Sequence, residues 1–242
     1  MKNSRQQSLM YRIRCLLARW VHPVRFYGQF SPPLDQVIYQ RYFFSRPSAG
    51  VFVECGAFDG VCESTCLMFE RHLGWVGYNI EPLPHHFSRL EKNRPRSTNL
   101  SFALSDATTE AEFVQAVHPT LGNDFGNGSL RHSELQRQEL EAMGCTFEHI
   151  RVETRPWDAF CNAWSIKHID LLVLDVEGHE ATILSAVSRT SVLPLIAVVE
   201  AWPHRAEEVK GHMERLGYIY DGEYRSNLFF RHADFKHPGD ES

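Results

Sequence analysis

The chain has 242 residues, of which 43% are hydrophobic and 23% charged, and its formal net charge is −5 at pH 7. This composition is typical of a globular protein with one large or two small domains, and the acidic balance argues against a general nucleic-acid binder. No apolar run reaches the length of a membrane-spanning helix, and no secretory signal peptide is visible.

Residues 1–31 stand apart as a basic N-terminal extension that contains no acidic residue. Apolar residues at helical spacing within it predict a basic amphipathic helix: Leu9, Ile13, Leu16, Leu17 and Trp20. We favour an apolar stripe that packs on its own domain or on a second subunit, as in a homo-oligomer. The alternative is a peripheral contact with an anionic membrane surface.

From residue 32 to residue 234 the chain reads as one domain, followed by a tail over 235–242. The apolar and amphipathic runs predict helices over 34–44, 63–73, 84–93, 180–187 and 207–216, and strands over 51–55, 75–80, 100–104, 169–174 and 195–199. Strands that alternate with helices predict an α/β fold in which helices cover both faces of a mainly parallel sheet.

The end of the chain predicts a hairpin, with strands over 218–220 and 227–230 and a turn at Asp221-Gly222. The sheet should therefore end with an antiparallel strand, which is uncommon in dinucleotide-binding folds. The middle, over 105–154, is less regular, and its polar stretch Gly122–Leu130 is expected to be a lid or a substrate loop.

Six cysteines are irregularly spaced, which suits free thiols in a reducing cytoplasm: Cys15, Cys55, Cys62, Cys66, Cys145 and Cys161. Three of them are close enough in sequence to consider a zinc cluster, but no C-x-x-C pair is present. We expect Cys55 to lie at the end of a strand and Cys62 and Cys66 to lie one turn apart on a packed helix. The localisation predicted from these thiols is cytoplasmic.

The first chemical motif is V-F-V-E-C-G-A-F-D-G, in which a buried strand ends on Glu54 and a turn brings Gly56, Asp59 and Gly60. Ligands of open parallel sheets lie at the carboxyl ends of the strands, and glycines let the backbone approach them. The turn lacks the G-x-G-x-x-G pattern that holds a pyrophosphate. Its carboxylates would repel a pyrophosphate but suit S-adenosylmethionine, which carries an ammonium and a sulfonium.

Two further strand ends carry polar residues. Y-N-I-E-P places Glu81 about 20 residues after the glycine turn, where an acid accepts hydrogen bonds from ribose hydroxyls in nucleoside-binding folds. F-A-L-S-D closes the third predicted strand with Ser105 and Asp106, which either meet an adenine edge or act as turn residues.

The motif L-V-L-D-V-E-G-H-E follows another buried strand with Asp175, Glu177 and His179. His179 is a candidate general base, or alternatively a helix-start residue that faces solvent. For Asp175 and Glu177 three roles stay open: binding a metal, orienting the base, or contacting the cofactor. The requirement for a divalent metal is left open, and no metal ligand is assigned.

The motif V-V-E-A-W-P-H ends a strand on Glu200 and continues with Trp202 and His204. An acid and a histidine at this place are able to contact the substrate, and an aromatic ring is able to stack on a sugar. The alternative is a loop that Trp202 anchors in the core.

Together these motifs resemble the FkbM-type family of S-adenosylmethionine-dependent methyltransferases. The resemblance is carried, in the family's order, by V-E-C-G-A-F-D-G, N-I-E-P-L-P-H-H-F-S-R-L-E-K-N-R-P, A-L-S-D, N-G-S-L, L-D-V-E-G-H-E and S-N-L-F-F-R. It spans roughly Leu34 to Arg231. It implies a Rossmann-like class I methyltransferase fold, with a mainly parallel seven-stranded sheet and an antiparallel last strand. It also implies methyl transfer to an oxygen of a sugar, polysaccharide or natural product.

The resemblance also implies roles for individual residues. Cofactor contacts are expected from Glu54, Gly56, Ala57, Phe58, Asp59, Gly60, Glu81, Pro82, Ser105, Asp106, Asp175, Val176 and Glu177. Catalytic roles are expected for His179, Asp175 and Glu200, and substrate contacts for Ser129, Trp202 and His204. Phe58 and Cys55 depart from the family's usual small polar and aliphatic residues, and neither departure removes a polar contact.

Three alternatives to this function stay open at the level of the sequence. In the first alternative, the methyl acceptor is a small molecule, a lipid or a protein group instead of a glycan. In the second alternative, the protein is a nicotinamide-dependent oxidoreductase. The missing G-x-G-x-x-G pattern and the terminal hairpin count against it. The third alternative is a non-catalytic scaffold, against which the acids at the strand ends count.

Overall fold

The computed structural model of the chain describes residues 24–44 and 49–236. The predicted amphipathic helix with its stripe from Leu9 to Trp20 lies outside the described residues, as does most of the predicted tail. None of the described helices has the length and apolar character that a membrane crossing requires.

The described residues contain eleven strands in two sheets. In chain order they are β1 (Val51–Cys55), β2 (Val76–Ile80), β3 (Thr98–Leu100), β4 (Ala103–Leu104), β5 (Thr109–Val117), β6 (Gly128–Ser129), β7 (Thr146–Arg155), β8 (Leu171–Leu174), β9 (Ile196–Glu200), β10 (Tyr218–Tyr224) and β11 (Asn227–His232). Seven strands form the main sheet in the order β3-β2-β1-β8-β9-β11-β10, and four form a second sheet in the order β4-β7-β5-β6.

The helices of the described residues follow the expected alternation with the strands. They are α1 (Leu34–Ile38), which continues as a π-helical turn over Tyr39–Phe43, α2 (Leu67–Leu73), α3 (Pro84–Asn93), α4 (Glu134–Ala142), α5 (Trp157–Ala163), α6 (Glu180–Ala186) and α7 (Ala206–Arg215).

Two apolar clusters cover the two faces of the main sheet. Because side chains alternate along a strand, Leu172 and Leu174 of β8 join one cluster, which α5, α6 and α7 cover. Leu171 and Val173 join the other cluster, which α1 and α2 cover. The strands β1, β2, β3, β8 and β9 are parallel, whereas β11 is antiparallel to both of its neighbours. The predicted α/β fold of the class I methyltransferase type is therefore confirmed.

The helix predicted over 63–73 begins later, at Leu67, and this start was wrong. The residues before it are held away from helical geometry, because the Glu54 carboxylate accepts hydrogen bonds from Ser64 Oγ and from the backbone N–H of Cys66. Cys62 is consequently exposed and precedes the helix, while Cys66 is buried at its start. The pair does not lie one turn apart on a packed helix.

The strand predicted over 100–104 is two strands that belong to different sheets. Leu100 pairs with Ile80 in the main sheet, and Ala103 pairs with Thr154 in the second sheet. The chain leaves the main sheet between Leu100 and Ala103, so the prediction of a single strand was wrong.

The middle of the chain is more regular than expected. β5 and β7 pair along their length, from Thr109 opposite Thr154 to Val117 opposite Thr146. The pattern was hard to read because these strands are half exposed, and the apolar residues Phe147 and Ile150 break strict alternation. Ser133 and Gln136 form a capping box at the start of α4, and the S-x-x-Q spacing was a sequence signal for it.

The turn of the terminal hairpin lies at Arg225-Ser226, between the paired residues Tyr224 and Asn227, and not at Asp221-Gly222. The pairing shifts register at Asp221 instead, where the carboxylate meets Arg41 Nε at 3.2 Å and accepts a hydrogen bond from the Tyr42 hydroxyl. These contacts to the π-helical turn explain a bulge where a turn was predicted.

Candidate active site

A cavity of about 340 Å³ opens at the carboxyl edge of the main sheet. It is lined by the ends of β1, β2, β8 and β9 and by the loop segment 124–128 that precedes and enters β6. The chain order of the sheet reverses at β1, which lies between β2 and β8. Ligands of open α/β sheets bind at such a reversal, and the volume is near the lower end of the usual range for ligand pockets, about 300–1,000 Å³.

The glycine turn forms the wall of this cavity after β1. The backbone N–H groups of Gly56 and Ala57 both donate to the Ile80 carbonyl, at 3.0 and 3.1 Å, which ties the turn to the end of β2. Gly56 has a φ of +79°, and a Cβ atom there would overlap the Asp175 carbonyl oxygen. Only glycine fits, so the turn closes tightly against the end of β8.

Glu81 lies at the end of β2 and is 5% exposed. Its carboxylate accepts hydrogen bonds from the backbone N–H groups of Phe58 at 3.0 Å and Leu83 at 2.9 Å. His86 Nδ1 lies 3.8 Å from the same carboxylate. Glu81 and Pro82 line the cavity, and the ribose contact of Glu81 stays a prediction.

Glu54 also borders the cavity, but its carboxylate is engaged inside the protein. It accepts hydrogen bonds from Ser64 and Cys66 and meets Arg94 Nη1 at 3.3 Å. Asp59 accepts from the backbone N–H groups that follow it in the turn, at 2.9 and 2.8 Å. Neither Asp59 nor Gly60 is among the residues that line the cavity, and their cofactor contact stays a prediction.

Three carboxylates meet on the opposite side of the cavity. Asp175 and Glu177 follow β8, Glu200 ends β9, and one oxygen of each lies within 4.8 Å of the others. We call Asp175, Glu177 and Glu200 the carboxylate cluster. It is the one group of potential ligands with metal-binding spacing among the residues that the structure describes.

Burial and mutual repulsion shift the proton affinity of this cluster. Burial raises the pKa of Asp175 well above its usual range, and the negative charges of Glu200 and Glu177 act in the same direction. Burial likewise raises the pKa of Glu177 to about 8, assisted by the charges of Glu200 and Glu180. Hydrogen bonds from Trp202 and Asn127 to Glu177 oppose this rise in pKa. Both shifts favour the protonated forms of Asp175 and Glu177 when no cation is bound.

The backbone around Glu177 is held in an uncommon conformation, with a φ of +55° at Glu177 and +99° at Gly178. Glu180, at the start of α6, accepts the backbone N–H groups of Val176 and Gly178 at 3.1 Å each. Gln136 from the cap of α4 donates to the Glu177 carbonyl at 3.2 Å. The second sheet and its helix thus support the turn that presents Glu177 to the cavity.

His179 lines the cavity and is 7% exposed, so it is not a solvent-facing helix-start residue. Its Nε2 lies 3.0 Å from Ser105 Oγ, and Ser105 donates to Asp106 Oδ1 at 3.2 Å. Burial lowers the pKa of His179 to about 4, against the opposing charge of Asp106. Ser105 and Asp106 are therefore joined to His179, away from the cavity surface.

The three predicted substrate residues do not meet on the cavity surface. Ser129 is fully buried and donates to the Val176 carbonyl at 3.2 Å. Trp202 donates a hydrogen bond to Glu177, and His204 is exposed beside Trp202, with 6.4 Å between the ring centroids.

Two residues outside the sequence prediction fix the loop segment over the cavity. His86 is 2% exposed, and its Nε2 lies 3.0 Å from the Asn123 carbonyl. Arg89 pairs with Asp124 at 2.6 Å. With Asn127 bonded to Glu177 on the far side, the segment 123–127 forms a strap from α3 to the carboxylate cluster. The motif P-H-H-F-S-R contains both His86 and Arg89, but the sequence alone does not indicate that they bind Asn123 and Asp124.

Most of the expected residues do converge on one cavity. The structure brings together Glu54, Gly56, Ala57, Phe58, Glu81, Pro82, Asp175, Val176, Glu177, His179 and Glu200. It places Asp59, Gly60, Ser105, Asp106, Ser129, Trp202 and His204 outside the cavity surface.

Residues 54–220 match the family model described as the methyltransferase FkbM domain. No curated protein matches the chain. Solved structures that are similar to this chain include three proteins. One is a methyltransferase FkbM from Methylobacillus flagellatus KT, with a TM-score of 0.44 and 15% identity over 79% of this chain and 47% of that chain, so this chain spans about half of its length.

The second is a TehB-like SAM-dependent methyltransferase from Corynebacterium glutamicum, with a TM-score of 0.43 and 9% identity over 94% of this chain and 97% of that chain. The third is an O-methyltransferase family protein from Burkholderia thailandensis, with a TM-score of 0.46 and 10% identity over 85% of this chain and 57% of that chain.

Proposed function

Because the chain belongs to the FkbM methyltransferase family, as the match over residues 54–220 shows, we propose that it transfers a methyl group from S-adenosylmethionine to a hydroxyl oxygen. The proposed acceptor is a sugar, a polysaccharide or a natural product. One observation carries the proposal: a single cavity has Glu81 on one side and the carboxylate cluster on the other.

The residues present fit the cofactor. Glu81 lies at the end of β2, beside Phe58 and His86, and offers acceptors for ribose hydroxyls. The carboxylate cluster offers negative charge to the ammonium and sulfonium of the cofactor. Gly56 lets the backbone between these two groups approach the ligand closely.

S-adenosylmethionine supplies, when bound, an electrophilic methyl group on a positively charged sulfur. The cavity walls align the acceptor oxygen with that methyl group, and alignment contributes a large share of the acceleration in such reactions. The new bond joins the methyl carbon to the acceptor oxygen, the old carbon–sulfur bond leaves its electron pair on sulfur, and the hydroxyl proton passes to a base.

We assign this base to Glu177 of the carboxylate cluster instead of to His179. A general base works best when its pKa lies near the operating pH, and the pKa of Glu177 is raised to about 8. The pKa of His179 is lowered to about 4, and its Nε2 is engaged with Ser105 Oγ at 3.0 Å, so its ring is the weaker base.

Two assays test the proposed function. Calorimetry with S-adenosylhomocysteine and with NADH separates a methyltransferase from a nicotinamide-dependent oxidoreductase, since we expect binding of the first alone. Incubation with methyl-labelled cofactor and a panel of glycans, natural products, lipids and peptides, followed by mass analysis, identifies the acceptor. Parallel reactions with EDTA and with Mg²⁺ decide whether a divalent metal is required.

Absence of S-adenosylhomocysteine binding by the folded protein would overturn the proposal. Binding without transfer to any acceptor of the panel favours the scaffold alternative. Label on a lipid or peptide alone would keep the enzyme class and replace the acceptor. The cytoplasmic localisation, the homo-oligomer and the peripheral membrane contact remain predictions from the sequence.

A further inference from the structure

Arg94 is completely buried at the end of α3, with 0% of its surface exposed. Its Nε donates to Glu70 Oε2 at 2.6 Å, and its Nη1 lies 3.3 Å from Glu54 Oε2. Burial of a guanidinium is costly unless charges and hydrogen bonds compensate it. Both acids are also buried, at 3% for Glu54 and 4% for Glu70, so the three groups form a buried ionic network. The exposed Arg96 joins it at Glu70, and Arg94 Nη2 is buried without a hydrogen-bond partner.

The same guanidinium reaches the segment between β1 and α2. Nη1 donates to the Gly60 carbonyl at 3.2 Å and to Ser64 Oγ at 3.1 Å. Ser64 in turn donates to Glu54 at 3.0 Å. A Cβ atom on Gly60 would lie 2.6 Å from Arg94 Cγ, so the turn rests directly on this side chain. One buried cation thus holds both ends of the segment 60–64.

The other surface of this segment faces the cavity. Ala57, Phe58 and the residues from Cys62 to Thr65 line it, whereas Arg94 does not. The segment therefore borders the ligand space and also contacts the guanidinium, and Ser64 takes part in both. The Glu54 carboxylate pairs with Arg94 and accepts from Ser64, so its charge is compensated within this network.

We propose that Arg94 is a positioning residue of the cofactor site, which sets the conformation of the segment 57–65 through Glu54, Gly60 and Ser64. The inference rests on the proposed function, because it takes S-adenosylmethionine as the ligand. Glu54 then acts through Arg94 and the wall of the cavity, and the cationic groups of the cofactor are met by the carboxylate cluster.

The physical basis is preorganisation. A wall that is already ordered binds without the loss of conformational entropy that a loose segment would incur. Lysine keeps the charge of Arg94 but offers a point charge in place of a planar fork, so it cannot reach Glu70, Gly60 and Ser64 together. The substitution Arg94→Lys therefore loosens the segment while the network stays neutralised.

The test compares Arg94→Lys with Arg96→Gln in the full chain. Arg96 is the matched control, since its side chain is 62% exposed and lies 3.6 Å from the same Glu70. The affinity for S-adenosylhomocysteine is measured by calorimetry, and hydrogen exchange is followed in peptides that cover 57–65. We expect Arg94→Lys to weaken binding about tenfold or more and to speed exchange in this segment, with both quantities unchanged in Arg96→Gln.

A role in stability alone predicts a different result, namely a lower Tm of Arg94→Lys with wild-type affinity at a temperature where both proteins are folded. That result overturns the inference. Should Arg94→Lys not fold, Ser64→Ala decides, because it removes one contact of Arg94 without unpairing a charge. Ser64 itself lines the cavity, so weaker binding supports the inference only together with faster exchange over 57–65, and wild-type affinity or wild-type exchange overturns it. A wild-type protein that does not bind S-adenosylhomocysteine instead overturns the proposed function.

Discussion

The Glu81 carboxylate accepts the backbone N–H of Phe58 at 3.0 Å. This bond joins the end of β2 to the glycine turn after β1, so the acid and the turn form one surface of the cavity. The backbone N–H groups of Phe58 and Leu83 each donate to one oxygen of this carboxylate and so fix its orientation. A ligand that reaches Glu81 therefore meets a carboxylate whose orientation is already set.

We expect Glu81→Gln to weaken the binding of S-adenosylhomocysteine. A hydrogen bond to a charged group contributes about 1.5–3 kcal/mol, so the dissociation constant should rise about 10- to 100-fold. Calorimetry on the folded variant measures this, and Glu91→Gln on the exposed side of α3 is the control. An unchanged affinity in Glu81→Gln would remove Glu81 from the ribose role.

The raised pKa of Glu177 predicts a dependence of stability on pH. The pKa is raised from 4.5 to about 8 on folding, so between these pH values the unfolded chain loses a proton that the folded chain keeps. Stability then falls as pH rises through this window, by at most about 1.4 kcal/mol per pH unit.

Glu177→Gln has no proton to lose, so its stability relative to the wild type should increase from pH 5 to pH 8. Urea unfolding of the unliganded proteins at the two pH values measures the difference. Glu139→Gln, an exposed substitution on α4, should follow the wild type. Parallel pH curves for the wild type and Glu177→Gln would contradict the assignment.

The same carboxyl group predicts a kinetic effect with an identified acceptor. If Glu177 removes the hydroxyl proton, Glu177→Gln lowers turnover about 10²-fold or more. The wild-type kcat/KM for S-adenosylmethionine, which reports the unliganded enzyme, should rise with pH up to about 8, where Glu177 loses its proton, and the variant should not show this rise. A pH profile that stays intact in Glu177→Gln and disappears in His179→Ala would return the role of base to His179.

Gly60 and Gly74 form a matched pair, because both have a positive φ, of +77° and +68°. A Cβ atom on Gly74 meets nothing within 4 Å, whereas on Gly60 it meets Leu90 and Arg94 at 2.6 Å. Gly74→Ala should cost about 1 kcal/mol of unfolding free energy for the left-handed backbone alone. Gly60→Ala should cost at least about 1 kcal/mol more through the steric clash, and equal values in chemical denaturation would contradict the contact with Arg94.

The strap over the cavity predicts an effect of His86 that an exposed residue of the same helix lacks. A carbonyl oxygen only accepts, so His86 Nε2 carries the proton that bonds Asn123. His86→Ala removes a buried hydrogen bond whose loss costs about 1–3 kcal/mol, and hydrogen exchange in peptides over 122–130 should accelerate. Lys92→Ala, at an exposed position of the same helix, should leave that exchange near the wild-type rate, and similar rates in both variants would show that His86 does not hold the strap.

Most of the main sheet could be predicted because its strands are short apolar runs followed by glycine or acid. The ends of β1, β2, β8 and β9 were placed within one or two residues. Parallel strands bring their carboxyl ends to one edge, so Glu81, Asp175 and Glu200 were expected to meet there, and they do line one cavity.

The second sheet could not be predicted in the same way. Its long strands β5 and β7 are largely exposed on one side and carry charged residues such as Glu112 and Arg151, which pair across the ladder. Their stability comes from pairing between residues 29 (Val117 with Thr146) to 45 (Thr109 with Thr154) positions apart, which a local pattern of apolar residues does not reveal.

The sequence by itself determined the α/β architecture, the antiparallel end of the sheet and the edge where the acids gather, because these follow from local periodicity and chain order. Only the tertiary structure decided which groups each strand-end carboxylate contacts. Glu54 and Glu81 both end apolar strands, yet Arg94, 40 residues after Glu54, draws its carboxylate into a buried network, while Glu81 remains on the cavity. Side-chain partners distant in the chain set that difference, since burial and charge pairing depend on what surrounds each carboxylate in space.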